Sequence, residues 1–291
     1  MNSSGAEVAQ EELLLALLGP RAAGGPRRGA KQLLRSGREQ LRTLIAQLPY
    51  EQRIEADATV ETLTSSGIRA LLCDDQRYPD RLRRFTGAPI ALFYRGPIEM
   101  LENPTVGVCG SRNATSAGLR AARACGQDAA RLGVTVVSGY ARGIDTESHL
   151  ACLEAGGSTI AVLAEGILNF RLRPAYRELP SSALDHLLVI SQFPPSQHWT
   201  AGAAMTRNQV VIGLSQAVVV VEAGETGGTL RAGEVAVQSG RRLLVMDFAE
   251  GTPQGNAKLI ATGARRIINR VDLAEEMRSL RLNQDTQLTL E

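Results

Sequence analysis

Residues 107–118 read Gly107-Val-Cys-Gly-Ser-Arg-Asn-Ala-Thr-Ser-Ala-Gly118, and Ser138-Gly-Tyr-Ala-Arg-Gly-Ile-Asp145 follows closely. Each element is a short apolar run that ends in a small-residue turn carrying an arginine, and each turn opens into a helical pattern. Side by side on a parallel sheet, two such turns point backbone N–H groups, two helix N-termini and two guanidiniums into one crevice. That arrangement holds phosphate.

Around these turns, apolar runs and helical patterns alternate from residue 105 onward. Strands are expected at 105–109, 134–138, 159–163, 187–191, 217–222 and 242–247, with amphipathic segments at 117–132, 144–155, 229–239 and 255–262. Continuous Val/Ile/Leu strands are buried on both faces, as in a parallel sheet covered by helices. The expected fold is α/β, a doubly wound, mostly parallel sheet of extended Rossmann-like type, preceded by a small helical N-terminal domain. Expected boundaries are 1–66 for the helical domain, 67–282 for the core and 283–291 for a polar tail.

In the N-terminal part, residues 8–18 have helical spacing and are expected to stop at Gly19-Pro20. Residues 21–30 are rich in Gly, Pro and Arg, so they are not expected to form regular helix. A second amphipathic helix is expected over 31–48. Helix, glycine-bearing turn and helix resemble a helix-hairpin-helix unit that holds nucleic-acid backbone; a plain helical subdomain reads the same way. Residues 53–104 bridge to the core, with a helix near 58–66 and strands near 68–72 and 90–94.

The 291 residues carry a net charge of +2, so total charge does not argue for a polyanionic partner. Among 32 basic residues only Lys31 and Lys258 are lysines. Arginine suits bidentate phosphate contacts, and a GC-rich coding bias gives the same skew. A local basic patch runs from Arg21 to Arg42 through Arg27, Arg28, Lys31, Arg35 and Arg38, with Glu39 the only acid. No apolar run is long enough to span a bilayer, and the N-terminus lacks a secretory pattern. The four cysteines, Cys73, Cys109, Cys125 and Cys152, have no metal-ligand spacing. A reduced cytoplasm is the expected location, with no metal and no cofactor implied.

The first turn is not a GxGxxG dinucleotide fingerprint. Gly110 and Ser111 bend the chain, Arg112 projects at the strand end, and Ser116 is the expected N-cap of the next helix. In the second turn Gly139 and Gly143 free the backbone. Asp145 and His149 are four apart on one helical face, within hydrogen-bonding reach of each other. A His149 base oriented by Asp145 would need a nucleophile that the sequence does not place, so a supporting role for the pair is the simpler reading.

The ordered set GSR, SGYARGIDTESH, AGGSTIAVL, Arg207-Asn208, GLS, VVVVEA, GGTLRA and GR, from about Gly67 to Ala264, resembles the DNA-processing protein A family, also called DprA or Smf. The resemblance implies a Rossmann-like core that binds single-stranded DNA without sequence preference and is not an enzyme. It also implies homodimers, and transfer of the strand to the RecA recombinase during DNA uptake and recombination. Arg112, Arg142 and Arg207 would contact phosphates. Gly110, Ser111, Gly139, Gly143, Gly227, Gly228 and Thr229 would shape the turns, with Asn208 and Asp145 holding the loops.

Departures from the family pattern are local. The usual G-x-G-x-D-x-x-Y-P-x-x-N stretch is replaced by residues 165–177, where Phe170 and Tyr176 interleave with Arg171, Arg173 and Arg177. That pattern suits base stacking beside phosphate contacts, or a core aromatic in a solvated basic loop. Ser-Glu-x-Pro becomes Ser191-Gln192-Phe193-Pro194, and the motif's last arginine becomes Gln209. The winged-helix domain that many members carry is not expected here. The stretch 222–234 is also similar to the Gly-Gly-x-Gly-Thr-x-x-Glu motif of lysine-decarboxylase-like phosphoribohydrolases, although Glu234 falls at the wrong spacing. Nucleotide sensing and nucleotide hydrolysis are therefore the alternatives to strand binding.

Overall fold

The computed structural model describes residues 3–249 and 251–288. Three helices come first: α1 (Ser3–Ala22), α2 (Pro26–Ala46) and α3 (Tyr50–Ser65). Next come β1 (Arg69–Leu72), the single-turn α4 (Asp80–Arg83) and β2 (Ala91–Arg95). The chain then alternates through β3 (Thr105–Cys109), α5 (Ser116–Arg131), β4 (Thr135–Ser138), α6 (Ile144–Glu154) and β5 (Thr159–Val162). Short helices α7 (Pro174–Arg177) and α8 (Ser181–Leu184) lead to β6 (Leu187–Ser191), α9 (Ala201–Leu214) and β7 (Ala217–Val220). The last elements are α10 (Gly228–Gln238), β8 (Arg242–Met246), α11 (Gln254–Ala261), β9 (Arg265–Ile267) and α12 (Arg270–Leu288).

Among the described residues the strands form one nine-stranded sheet in the order β1-β2-β6-β5-β4-β3-β7-β8-β9. β2 runs antiparallel to both β1 and β6, and every pairing from β6 across to β9 is parallel. From β3 the chain moves outward through β4, β5 and β6. It then returns past β3 to lay down β7, β8 and β9. The order reverses between β3 and β7, and ligands of such sheets bind beyond the carboxyl ends of the strands at that point.

Both faces of the sheet are covered, as the unbroken apolar strands require. On β7, Val218 and Val220 pack into one hydrophobic cluster while Ala217 and Val219 pack into the other; β8 divides Leu243 and Val245 from Leu244 and Met246 in the same way. This period of two is that of a pleated strand with a core on each side. Leu13, Leu15, Leu18, Leu33 and Leu41 of the first two helices join the cluster that contains Leu71 and Leu92, so the N-terminal helices pack onto the antiparallel end of the sheet.

Several expectations need correction. α1 does not stop at Gly19-Pro20 but runs to Ala22, because Pro20 lies in its last turn, where one lost backbone bond is tolerated. α2 starts at Pro26, a residue whose fixed φ suits a first helical position, so part of 21–30 is helical. The connection between the two helices is therefore short, and α2 kinks at Gly37, whose φ is 72°. α3 begins at Tyr50 rather than near 58. α9, β9 and α12 were not anticipated. α12 carries residues 283–288 of the expected polar tail as helix, while 289–291 lie outside the described residues. No helix among the described residues is long and apolar enough to cross a membrane.

Candidate phosphate-binding site

The two arginine-bearing turns meet at the β3/β7 switch point. Ser111 N–H donates to the Glu222 carbonyl (2.8 Å), joining the turn after β3 to the end of β7. Ile144 N–H at the start of α6 donates to the Ser111 carbonyl (3.3 Å), so the second turn is laid across the first. Gly110 is needed there, since a Cβ would sit 2.5 Å from Ile144 Cβ.

Three helix N-termini open near this point, and two hold the chain's own carboxylates. The Glu222 carboxylate accepts from Thr115 N–H (3.0 Å) and from its hydroxyl (2.7 Å), and Thr115 Oγ1 in turn accepts from Gly118 N–H (3.1 Å). Thr115, not Ser116, is thus the N-cap of α5, and its donors are spent on Glu222. At the entry to α6, Asp145 Oδ2 accepts from Ala141 N–H (3.2 Å). α10 differs. Its N-cap is Gly227, it has no side-chain cap and no acid in its first turn, and Gly228 and Thr229 face a cavity of about 470 Å³. Its first N–H groups and positive dipole end are thus available to an anion.

The cavity is walled by the turn from Gly110 to Asn113, by Gly139 and Asp145, by Trp199, and by Ala204, Met205, Arg207 and Asn208 of α9. Arg112 is exposed and its guanidinium lies 5.3 Å from the centre of the Trp199 ring. Trp199 is 48% exposed and Met205 54%. Both are large apolar side chains facing water at the mouth of a polar cavity. Neither was anticipated; the chain's single Trp, set in the polar Pro-rich stretch PPSQHWT, was the cue for the first.

Other expected site residues are placed differently. Arg207 is only 5% exposed, and its guanidinium donates to the Gly139 carbonyl, to the Val162 carbonyl (2.7 Å) and to Asn208 Oδ1 (3.1 Å). It forms the floor of the cavity and laces α9 to the ends of β4 and β5. Arg142 is exposed outside the cavity wall, with no ion pair or side-chain hydrogen bond among the described residues. Asp145 and His149 do not bond to each other: His149 Nδ1 pairs with Thr159 Oγ1, because its ring lies in the core under α6. Burial pushes the His149 pKa down to about 3, so the imidazole is neutral, and it does not line the cavity. Burial also raises the Cys109 thiol to about 12, which leaves it protonated and unreactive.

The loop at 165–177 is folded inward. Tyr176 is fully buried with its ring 5.0 Å from that of Tyr140, and Phe170 is 5.3 Å from the same ring. Arg173 stacks on the Tyr140 face at 4.6 Å, and Arg171 donates to the Leu168 and Phe170 carbonyls. These aromatics brace Tyr140, which holds a left-handed φ of 55° in the second turn; Tyr176 is not a base-stacking surface. Glu234 is paired with Arg231 (3.2 Å) on α10 and does not line the cavity, so it cannot act there as a hydrolytic carboxylate. Gln192 and Gln209 also lie elsewhere, in a larger cleft under the N-terminal helices.

Residues 69–278 match the model of the DNA recombination-mediator protein A family. The chain belongs to that family. It is 33% identical over 204 residues to the DNA processing protein DprA of Streptococcus pneumoniae, covering 69% of this chain and 72% of that one. The crystal structure of the S. pneumoniae protein superposes with a TM-score of 0.68 at 24% identity, covering 95% of this chain and 99% of the other. DNA processing protein A from Helicobacter pylori, in a structure described for its single-stranded DNA binding mode, superposes with a TM-score of 0.63 at 21% identity over 72% of this chain and 95% of that one. Both likenesses support the α/β Rossmann-like fold, and the family assignment supports a DprA-like role in DNA processing.

Proposed function

We propose that the chain binds single-stranded DNA without sequence preference, through the cavity at the β3/β7 switch point. The observation that carries this reading is the uncapped N-terminus of α10 facing the exposed Arg112–Trp199 pair. Backbone N–H groups of Gly228 and Thr229 and the Arg112 guanidinium take phosphate oxygens, contacts that are blind to base identity. The Trp199 face takes a base, and every base has a face to stack. The site offers positioning and charge, which suit holding the strand. The H. pylori relative's single-stranded DNA binding supports the same polymer here. Family membership supports the further steps: self-association into homodimers, hand-over of the strand to the RecA recombinase, and work in the cytoplasm.

Affinity for oligo(dT), followed by fluorescence anisotropy, is expected to fall linearly with log salt. Arg112→Ala is expected to weaken binding by about 1.5 kcal/mol, equally for all sequences. It should also reduce the salt slope by about 0.7, the loss of one single-strand phosphate contact. A slope unchanged by the substitution would remove Arg112 from the phosphate path. If oligonucleotides failed to bind while a mononucleotide raised the melting temperature, nucleotide sensing would replace this reading.

Trp199 supplies a built-in probe, because the chain has one tryptophan. Its emission is expected to be quenched saturably by oligo(dT). Trp199→Ala should cost about 1–3 kcal/mol of affinity, while Trp199→Phe should retain most of it. Quenching absent at saturation would show that no base reaches the ring.

A further inference from the structure

A second cavity of about 900 Å³, larger than the one at the switch point, is the cleft between the N-terminal helices and the sheet. One side is built by the α1–α2 turn and by α3; the other is built by residues 87–91, Phe93, residues 192–197 and the flank of α9. We infer that this cleft is a second nucleotide-binding subsite, occupied by the continuation of the strand held at the switch point. The inference rests on the single-stranded DNA reading of the first cavity.

Charge comes first. Arg27 and Arg28 are exposed at the mouth of the cleft, in the first turn of α2, which contains no acid and no side-chain cap. The positive end of the α2 dipole therefore faces two more positive charges, a destabilising arrangement until an anion arrives. Neither guanidinium has an ion pair or side-chain hydrogen bond among the described residues. Arg21 also lines the cleft, but its charge is offset by Glu55, another lining residue 3.9 Å away.

The interior suits bases. Phe193, Pro194 and Pro195 give flat apolar surface, and the amides of Gln192 and Gln209 present both donors and acceptors to base edges. A cavity of this size belongs to the range that encloses small ligands.

Continuity selects a strand over a free ligand. α9 faces the switch-point cavity with Met205 and Asn208 and the cleft with Thr206 and Gln209. Gln197 lies in the cleft and Trp199 in the cavity, two positions apart, at most about 7 Å of extended chain. A strand that leaves the Trp199 face meets the cleft next.

The test compares an oligo(dT) of about 5 nucleotides with one of about 15, lengths that bracket the filling of one or both sites. Arg27→Ala/Arg28→Ala is expected to lower affinity for the longer oligonucleotide by about tenfold and its log–log salt slope by about 1.4, two phosphate contacts. The shorter one should be unaffected, and Arg112→Ala should weaken both. The arginines are exposed, so the double variant should melt with the wild type. Equal effects on both lengths, or none, would overturn the inference. So would dTMP binding to the wild type but not the double variant without any length dependence, which would assign the cleft to a free nucleotide. Equal competition by polyglutamate would instead reduce it to a generic anion surface. Failure of the wild type to bind either oligonucleotide would overturn the parent reading instead.

Discussion

Arg207→Ala is expected to destabilise the protein by about 3–5 kcal/mol, the usual cost of removing one partner from a buried charged network. The guanidinium is 5% exposed and serves the Gly139 and Val162 carbonyls, at the ends of neighbouring strands, together with the Asn208 side chain. The alanine variant leaves buried acceptors unpaired and a void where the guanidinium stood. It also strips the nearby Asp145 of its compensating cation. Burial raises the Asp145 pKa above the usual carboxylate value, and Arg207 is the strongest influence pulling it back.

A pH dependence follows from that coupling. Without Arg207 the Asp145 pKa rises further, so between its unfolded and folded values the native state binds more protons than the unfolded chain. Stability then falls as pH rises through that window. The deficit of Arg207→Ala should therefore be larger at about pH 8 than at about pH 5, and Asp145→Asn added to it should flatten the difference. Urea unfolding of the single and double variants at the two pH values measures this. A deficit independent of pH would mean that Asp145 and Arg207 are neighbours without energetic coupling.

The contrast between the two arginines shows what a sequence can carry. Arg112 and Arg207 look alike in the chain, each beside small or polar residues in a recognisable motif. One projects into water from a turn, and the other points into the interior from α9. That difference is set by α9, a helix with little amphipathic pattern because it is buried on most sides. The strands of the core were legible, since Val/Ile/Leu runs buried on both faces have few other fates. β9 was not legible: its three residues Arg265, Arg266 and Ile267 include only one that is buried, as befits an edge strand. The contact of Glu222 with the α5 N-terminus was also hidden, because it joins residues 107 positions apart. Only after that contact is known does α10 stand out as the open helix end.

Gly143→Ala is the second large effect, expected to cost about 3 kcal/mol or more and to abolish measurable strand binding. Gly143 precedes α6 with φ 76° and ψ −127°, a conformation that an L-residue with a Cβ adopts only under strain. The added Cβ would press on the Ser111 carbonyl oxygen and sit 2.8 Å from that of Arg112. These are backbone atoms, so no rotamer change relieves the contact; the first turn must move. That turn carries the Arg112 guanidinium and the Ser111 bond to Glu222, and displacing it misaligns the phosphate contacts relative to α10. Gly228→Ala is the discriminating partner, because a Cβ there meets nothing within 4 Å, yet it stands in the wall of the cavity. It should unfold within about 0.5 kcal/mol of the wild type, as surface substitutions do, and weaken oligonucleotide binding by blocking close approach of phosphate to the α10 N–H groups. Losing both stability and affinity at Gly143, and affinity alone at Gly228, separates the residue that crosses the two turns from the one that meets the ligand. Normal folding and binding by Gly143→Ala would mean that the crossing of the turns does not hold the site in shape.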